Sequence, residues 1–357
     1  MDDRRRRCRA RRLTASFKSP PIRAAFAALL LVLSAPARAG AQIYETVGTR
    51  AQGMGGAFVA VADDATATWW NPAGLILSDF SLVLERVRTT EPSGADPPGP
   101  AWRGDSTSFA ASFPALGLSY YRLRISEIAP RASTAGAQPG RQDLGAAAIG
   151  LRSWVTNQFG ATIGQSVGNH LVIASTLKLV RAGSTTSTGG STGGSLDAAA
   201  ALDVSIETKP DVDVGALAVV GPLRLGVSAK HVGKPGFGGG AGRFELGRQA
   251  RVGLAWVVGQ PGPATGLTVA IDADLTRTQT AFGDARHVAA GLEVSLPGRR
   301  LALRGGVGTN TAGEAGTSRS AGISLRLAKE GLYLDGASTF GSDRSRSGWA
   351  AGLRLTI

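Results

Sequence analysis

Cysteine occurs once in 357 residues, at Cys8, and histidine three times. Cys8 precedes the apolar run near the N-terminus, so it is not the lipid-bearing residue that follows such a run in a lipoprotein. If the segment around it is removed, the mature chain has no cysteine, which excludes disulfides, thiol catalysis and Cys-based metal sites. His170, His231 and His287 stand on separate segments without metal-ligand spacing and read as strand-end or loop residues. No linear catalytic motif is present, so neither an enzyme nor a cofactor or metal site is expected. After the first forty residues no run of 18 apolar residues occurs, which excludes helical membrane spans.

Acidic residues are also scarce, 26 against 39 Lys and Arg, for a formal charge of +13. That excess is local. Residues 1–39 hold ten Lys/Arg and two Asp/Glu, a net +8, which leaves +5 for the rest of the chain. The remainder has no basic stripe interleaved with aromatics, so nucleic acid is not a partner. Glycine, at 50 residues, is about double its usual share of roughly 7%, while 43% hydrophobic content rules out disorder. A mean hydropathy close to zero is what alternating lipid-facing and lumen-facing residues produce.

The N-terminus reads as a signal peptide over residues 1–39. Arg4 to Arg12 form a basic region, Ala24 to Leu33 an apolar run, and Ala37-Arg38-Ala39 a small-x-small cleavage site, with cleavage after Ala39 or Ala41 fitting equally. From residue 78 to 357 the chain repeats segments of about ten residues in which apolar side chains alternate with small, polar or charged ones, the signal for strands. In Leu267 to Leu275 and in Val288 to Leu296 the alternation is unbroken.

Alternation suits both a soluble sandwich and a membrane barrel; connection lengths separate the two. Short turns at Pro114–Gly117, Val167–Asn169, Gly221–Pro222, Gly259–Gly266, Pro297–Arg299 and Ala328–Gly331 alternate with longer loops. Those loops are Glu91–Gly104, Ala129–Gln142, Ala182–Pro210, Gly233–Gly247, Gln279–Ala285, Thr311–Gly316 and Gly341–Ser347. Short turns on one side and long loops on the other are the habit of transmembrane barrels. The pattern predicts an all-β, transmembrane antiparallel β-barrel of about fourteen strands with both ends on the periplasmic side. Asp143–Ser166 reads as a single strand, longer than a membrane strand needs, that protrudes, bulges or kinks; read instead as two strands, with Leu196–Glu207 adding another, it raises the count to sixteen.

Between signal and barrel, residues 40–77 are not strand-like. Gly53, Gly55 and Gly56 permit tight turns and close backbone approach, Asp63 and Asp64 can accept from nearby amides, and Asn71-Pro72-Ala73 marks a turn or helix boundary. The Gly-x-Gly-Gly pattern lacks the Lys-Ser/Thr of a phosphate loop. The run Gly-Met-Gly-Gly-Ala-Phe-Val-Ala-Val-Ala-Asp-Asp, followed by Asn-Pro-Ala-Gly, resembles the N-terminal hatch of the FadL-like outer-membrane superfamily, most of all its PorV/PorQ branch. That resemblance implies a fourteen-stranded barrel with an N-terminal plug in its lumen, a place in the cell outer membrane, and assembly by the barrel-assembly machinery. It also implies one of two functions: passive transport of small hydrophobic, fatty-acid-like compounds, or a non-conducting adaptor that anchors exported proteins of a secretion system. The chain is shorter than long-chain fatty-acid transporters, and it ends in Ile357 where many barrels end in Phe or Trp.

With Leu, Val and Ile facing lipid, the opposite faces send Lys178, Arg224, Lys230, Asp272, Asp274, Glu293, Arg304, Arg326 and Arg354 into the lumen. Arg or Lys on the lipid face near the midplane would cost roughly 2–4 kcal/mol each. These charges read either as an ion-pair network that holds the plug or as a basic excess that attracts an anionic ligand group.

Overall fold

The computed structural model describes residues 47–77, 80–91, 101–130, 149–189, 195–239, 243–259, 265–280, 283–312, 316–328, 331–341 and 347–357. The signal peptide, the first residues of the expected hatch and residues 143–148 lie outside them.

Fourteen antiparallel strands close into one barrel. In chain order they are β1 (Ser81–Glu91), β2 (Ala101–Phe113), β3 (Leu116–Pro130), β4 (Ile149–Val167), β5 (Leu171–Gly189), β6 (Glu207–Val220) and β7 (Leu223–Lys230). Two small hairpins interrupt the series: β8 (Gly236–Phe237) with β9 (Phe244–Glu245), and β12 (Thr278–Thr280) with β13 (Gly283–Ala285). The other wall strands are β10 (Gln249–Val258), β11 (Gly266–Asp274), β14 (His287–Ser295), β15 (Leu301–Asn310), β16 (Thr317–Arg326), β17 (Leu332–Gly341) and β18 (Ser347–Thr356). Neighbours in sequence are neighbours in the wall, and β1 meets β18 with Ser81 opposite Thr356.

The period of two sorts the side chains. Leu118, Ile163, Leu177, Ile271 and Leu334 stand exposed on the outside. Ser108, Ser119, Thr162, Thr176 and Ser324 are buried on the inside. An apolar exterior over a polar interior is the reverse of a water-soluble barrel and suits a wall standing in lipid.

The wall differs from the sequence reading in its loops. β4 and β5 run 19 residues each, about 60 Å at 3.3 Å per residue, where a tilted membrane strand needs about 9–11 residues. β4 is a single strand, and Leu196–Ala201 is a short helix instead of a further strand, so the sixteen-strand alternative is overturned. Ala182–Gly189 and Glu207–Pro210 belong to strands, as do Ala101–Gly104 and Ala129–Pro130; the loop assignments there were too long. Glycine, serine and threonine in Ala182–Gly189 suggested coil, but ladder pairing with β4 overrides weak local preference.

The projecting part has its own small core. Phe237 and Phe244 stack at 5.5 Å on the β8–β9 hairpin and pack with Ile125, Trp154, Val180 and Leu246. On the other side of these strands the helix Leu196–Ala201 is capped by Ser195, whose Oγ accepts from Ala198 N at 3.0 Å. Asp197 ties this helix to Arg103 at 2.8 Å.

Candidate functional site: the segment inside the barrel

Residues 47–77 contain too little regular structure to stand alone: a helix over Thr49–Gly53, another over Ala67–Trp70 and a 3-10 stretch over Pro72–Leu77. Gly48 and Gly56 take left-handed backbone angles, φ 94° and 90°, and so permit the bends around the first helix. Its stability comes from the wall. The first helix touches β1 and β15 to β18, while the 3-10 stretch touches β2, β4, β5 and β6, so the segment reaches across the ring. Val47, Met54, Phe58, Val59, Val61 and Leu75 are fully buried there.

Backbone groups left open by the irregular path are satisfied by side chains, as buried amides require. Asp272 of β11 accepts from Phe58 N at 2.7 Å and Val59 N at 2.8 Å. Asn71 donates from Nδ2 to Val59 O at 3.0 Å and to Ala216 O of β6 at 3.1 Å, while its Oδ1 accepts from Ala73 N. Asp64 accepts from Thr66 N at 2.9 Å. Glu85 of β1 accepts from Thr49 N at 2.8 Å.

Arg50 is the electrostatic hub. Its guanidinium lies 2.8 Å from Asp63, 2.6 Å from Asp64 and 3.2 Å from Glu293 of β14. Glu293 also takes Arg304 at 2.5 Å, and Arg304 continues to Ser324 and Asp335, where Arg354 joins at 2.9 Å. Arg224 reaches Asp63 at 3.5 Å from β7. Burial pushes the Asp64 carboxyl upward, but the charges of Arg50 and Arg354 and the Thr66 bonds outweigh it and hold it below the usual range.

Of the luminal charges expected from sequence, Arg224, Glu293, Arg304 and Arg354 thus join one network with Asp63 and Asp64, and Asp272 binds the segment's backbone. Asp274 pairs with Arg251 at 2.6 Å. Lys230 sits 3.0 Å above the Trp69 ring. Arg326 occupies an inward position near a short turn and makes no ion pair among the described residues. Gly53, Gly55, Asn71, Pro72 and Ala73 all lie at the contact with the wall. A Cβ on Gly55 would come 2.7 Å from Val307 N, and Ser320 donates to Gly53 O at 3.1 Å.

Lys178 is placed elsewhere. Its ammonium lies 2.7 Å from Asp213, 3.3 Å from Asp211 and 3.3 Å from His231 Nδ1, near the loop end of β6 and β7. Asp211, Asp213 and His231 are close enough together to hold a cation, and the cation among them is the Lys178 ammonium. His231 Nδ1 also lies 2.8 Å from Asp211 Oδ2. Burial, then the charge of Lys178, pushes His231 down to about 4, so it is neutral at pH 7.

Sequence reasoning missed Arg50, Glu85, Asp335 and the grouping of Asp211, Asp213 and His231 around Lys178. Glu85, Asp211, Asp213 and Asp335 share inward parity with their strand neighbours, and applying the alternation to every strand would have found them. Arg50 precedes the motif glycines and carried no signal of its own.

Trp69 packs on Tyr121 at 4.8 Å, and Trp70 meets Phe58 edge-on at 6.1 Å. These tryptophans, with Val59, Lys230, Gln249, Arg251 and Asp274, line a cavity of about 30 Å³. That is room for about one water, against the several hundred Å³ typical of a ligand pocket. Its lining is aromatic on one side and cationic on the other.

No family model matches the chain, and no curated protein does. Solved structures do. The Ralstonia pickettii toluene transporter TbuX aligns at 14% identity and TM-score 0.57, over 87% of this chain and 98% of that one. The Pseudomonas putida toluene transporter TodX aligns at 12% and 0.58, over 88% and 99%. A Pseudomonas aeruginosa FadL homologue aligns at 12% and 0.55, over 89% and 99%. At such identities the likeness is one of fold: the chain shares its architecture with toluene transporters and a FadL homologue.

Proposed function

We propose that the protein is an outer-membrane channel for passive transport of small hydrophobic compounds, gated by residues 47–77 acting as a hatch. The observation that carries this reading is the segment itself, an apolar, tryptophan-bearing insert that reaches across a closed barrel and is joined to it by packing and by side-chain hydrogen bonds and ion pairs. The structural likeness to hydrocarbon transporters and the apolar exterior support it. Export by a cleaved signal peptide over residues 1–39 and insertion by the barrel-assembly machinery belong to the same proposal, as does kinship with the FadL-like superfamily.

In this reading the ligand enters from the loop side, meets the Trp69–Trp70 surface, and passes when the hatch shifts. No energy source is needed, since partition of an apolar solute drives the flow. The small cavity favours one alternative, a sealed PorV-like adaptor that binds exported protein through its projecting β3–β5 strands.

Uptake decides between them. Cells producing the protein, with outer-membrane insertion checked by heat-modifiable migration, are compared with empty-vector cells for accumulation of labelled toluene and oleate. Faster entry of either supports transport. Equal entry of both, with the barrel inserted, rejects transport and leaves the adaptor.

A further inference from the structure

On three neighbouring alternate strands the outward apolar run ends in an arginine on the loop side. On β1 the outward positions pass from Leu84 to Arg86, on β3 from Leu118 and Tyr120 to Arg122, and on β5 from Leu177 and Leu179 to Arg181. All three arginines are exposed. The ladder puts them in one row: Arg86 opposite Thr107, Thr107 opposite Arg122, Arg122 opposite Asn157, and Asn157 opposite Arg181. Since each step across the sheet is about 4.8 Å, consecutive arginines stand about 10 Å apart at the backbone.

The row has polar residues between its cations and no acid. Among the described residues Arg86, Arg122 and Arg181 make no ion pair. In the next row toward the loops Asp105 is already engaged by Arg88 at 2.7 Å and Arg103 at 3.2 Å. At the short-turn end the outward positions include the exposed Phe113, Leu116, Val167, Val220, Leu223 and Leu327. Exposed Trp349 and Phe340 lie beyond β1, on β18 and β17, one and two outward positions nearer the loops than the arginine row. Aromatics at this level mark the boundary between hydrocarbon and headgroups.

We propose that Arg86, Arg122 and Arg181, with Thr107 and Asn157 between them, form a binding row for the phosphate groups of lipid headgroups in the outer leaflet. The inference rests on the membrane placement under Proposed function but not on transport. Three always-ionised guanidiniums side by side on a lipid-facing wall repel one another and have no counter-charge among the described residues. Phosphate at headgroup depth supplies the charge, and the planar guanidinium binds it through paired hydrogen bonds. A hydroxyl and an amide in the gaps add contacts of the right polarity. The apolar run below each arginine would receive the acyl chains of the same lipid.

The test uses the full chain reconstituted in phosphatidylcholine vesicles that contain equal amounts of a bis-phosphorylated glucosamine lipid and its dephosphorylated form, followed by detergent extraction and measurement of retained lipid by native mass spectrometry. The wild type is expected to retain the phosphorylated lipid at least tenfold over its dephosphorylated form. The triple variant Arg86→Gln, Arg122→Gln, Arg181→Gln should lose that preference, and the matching triple lysine variant should keep most of it. Heat-modifiable migration verifies that each variant is a folded barrel. Equal retention of both lipids by the wild type, or undiminished retention by the glutamine variant, overturns the proposal. Failure of toluene and oleate uptake, with lipid preference intact, would remove the transport reading alone.

Discussion

The guanidinium of Arg50 donates to Asp64 at 2.6 Å within the inner segment and reaches Glu293 of the wall at 3.2 Å, so one side chain joins that segment to the barrel. Removing it leaves Asp63, Asp64 and Glu293 short of a buried counter-charge. Breaking one partner of a buried pair costs about 3–5 kcal/mol. Arg50→Met is therefore expected to loosen residues 47–77 while the wall persists. Limited proteolysis and amide exchange should show new exposure of the segment, with heat-modifiable migration retained. Unchanged protection would mean that packing alone holds it.

Gly305 and Gly306 offer a matched pair. A Cβ on Gly306 would overlap Gly55 N and Met54 C, whereas one on Gly305 meets nothing within 4 Å. Gly306→Ala should thus displace the segment at a cost of about 1–3 kcal/mol, and Gly305→Ala should be tolerated. Urea unfolding of both variants in the same vesicles checks the difference.

His231 predicts a pH dependence. It titrates at about 4 in the fold and near 6.5 when unfolded, so between these values the unfolded chain binds the extra proton. Its contribution is fully present above about 6.5, falls as pH drops toward 4, and changes no further below that. The loss is on the order of 3 kcal/mol. The groups facing it are Lys178 on β5 and Asp211 and Asp213 on β6. His231→Gln should flatten the stability profile in this window, measured by unfolding midpoints from pH 7 to 4; an unaltered slope would assign it to other groups.

Ala115, in the turn between β2 and β3, adopts φ 66°, a left-handed angle that costs a side-chain-bearing residue about 1–2 kcal/mol. Ala115→Gly is expected to raise stability, the gain trimmed to about 1 kcal/mol by glycine's greater freedom when unfolded. The unfolding midpoint checks it, and a fall would show that the alanine methyl is needed for packing.

The wall was legible because a period of two is a direct geometric consequence of the strand, and Leu334, Asp335 and Gly336 show it in three letters. Its strand count followed from the alternation of short and long connections. The projecting ends of β4 and β5 were not legible, since Gly183 to Gly189 has the composition of a coil and becomes strand only by pairing with β4. The inner segment was recognisable as a motif, but its fastening was not. Asp272 meets Phe58 across 214 residues of sequence and Arg50 meets Glu293 across 243, and no local pattern encodes such distances.

The seam between β1 and β18 pairs residues from opposite ends of the barrel sequence, Leu84 with Leu353 and Val87 with Ala350. The last strand must therefore arrive before the cylinder exists. The inner segment, by contrast, leads the barrel and draws its hydrogen bonds from strands on every side. Its contents are thus synthesised before the container, and ring closure becomes the step at which they are either enclosed or shut out. Substitutions that weaken the inner contacts should slow assembly as well as loosen the finished barrel.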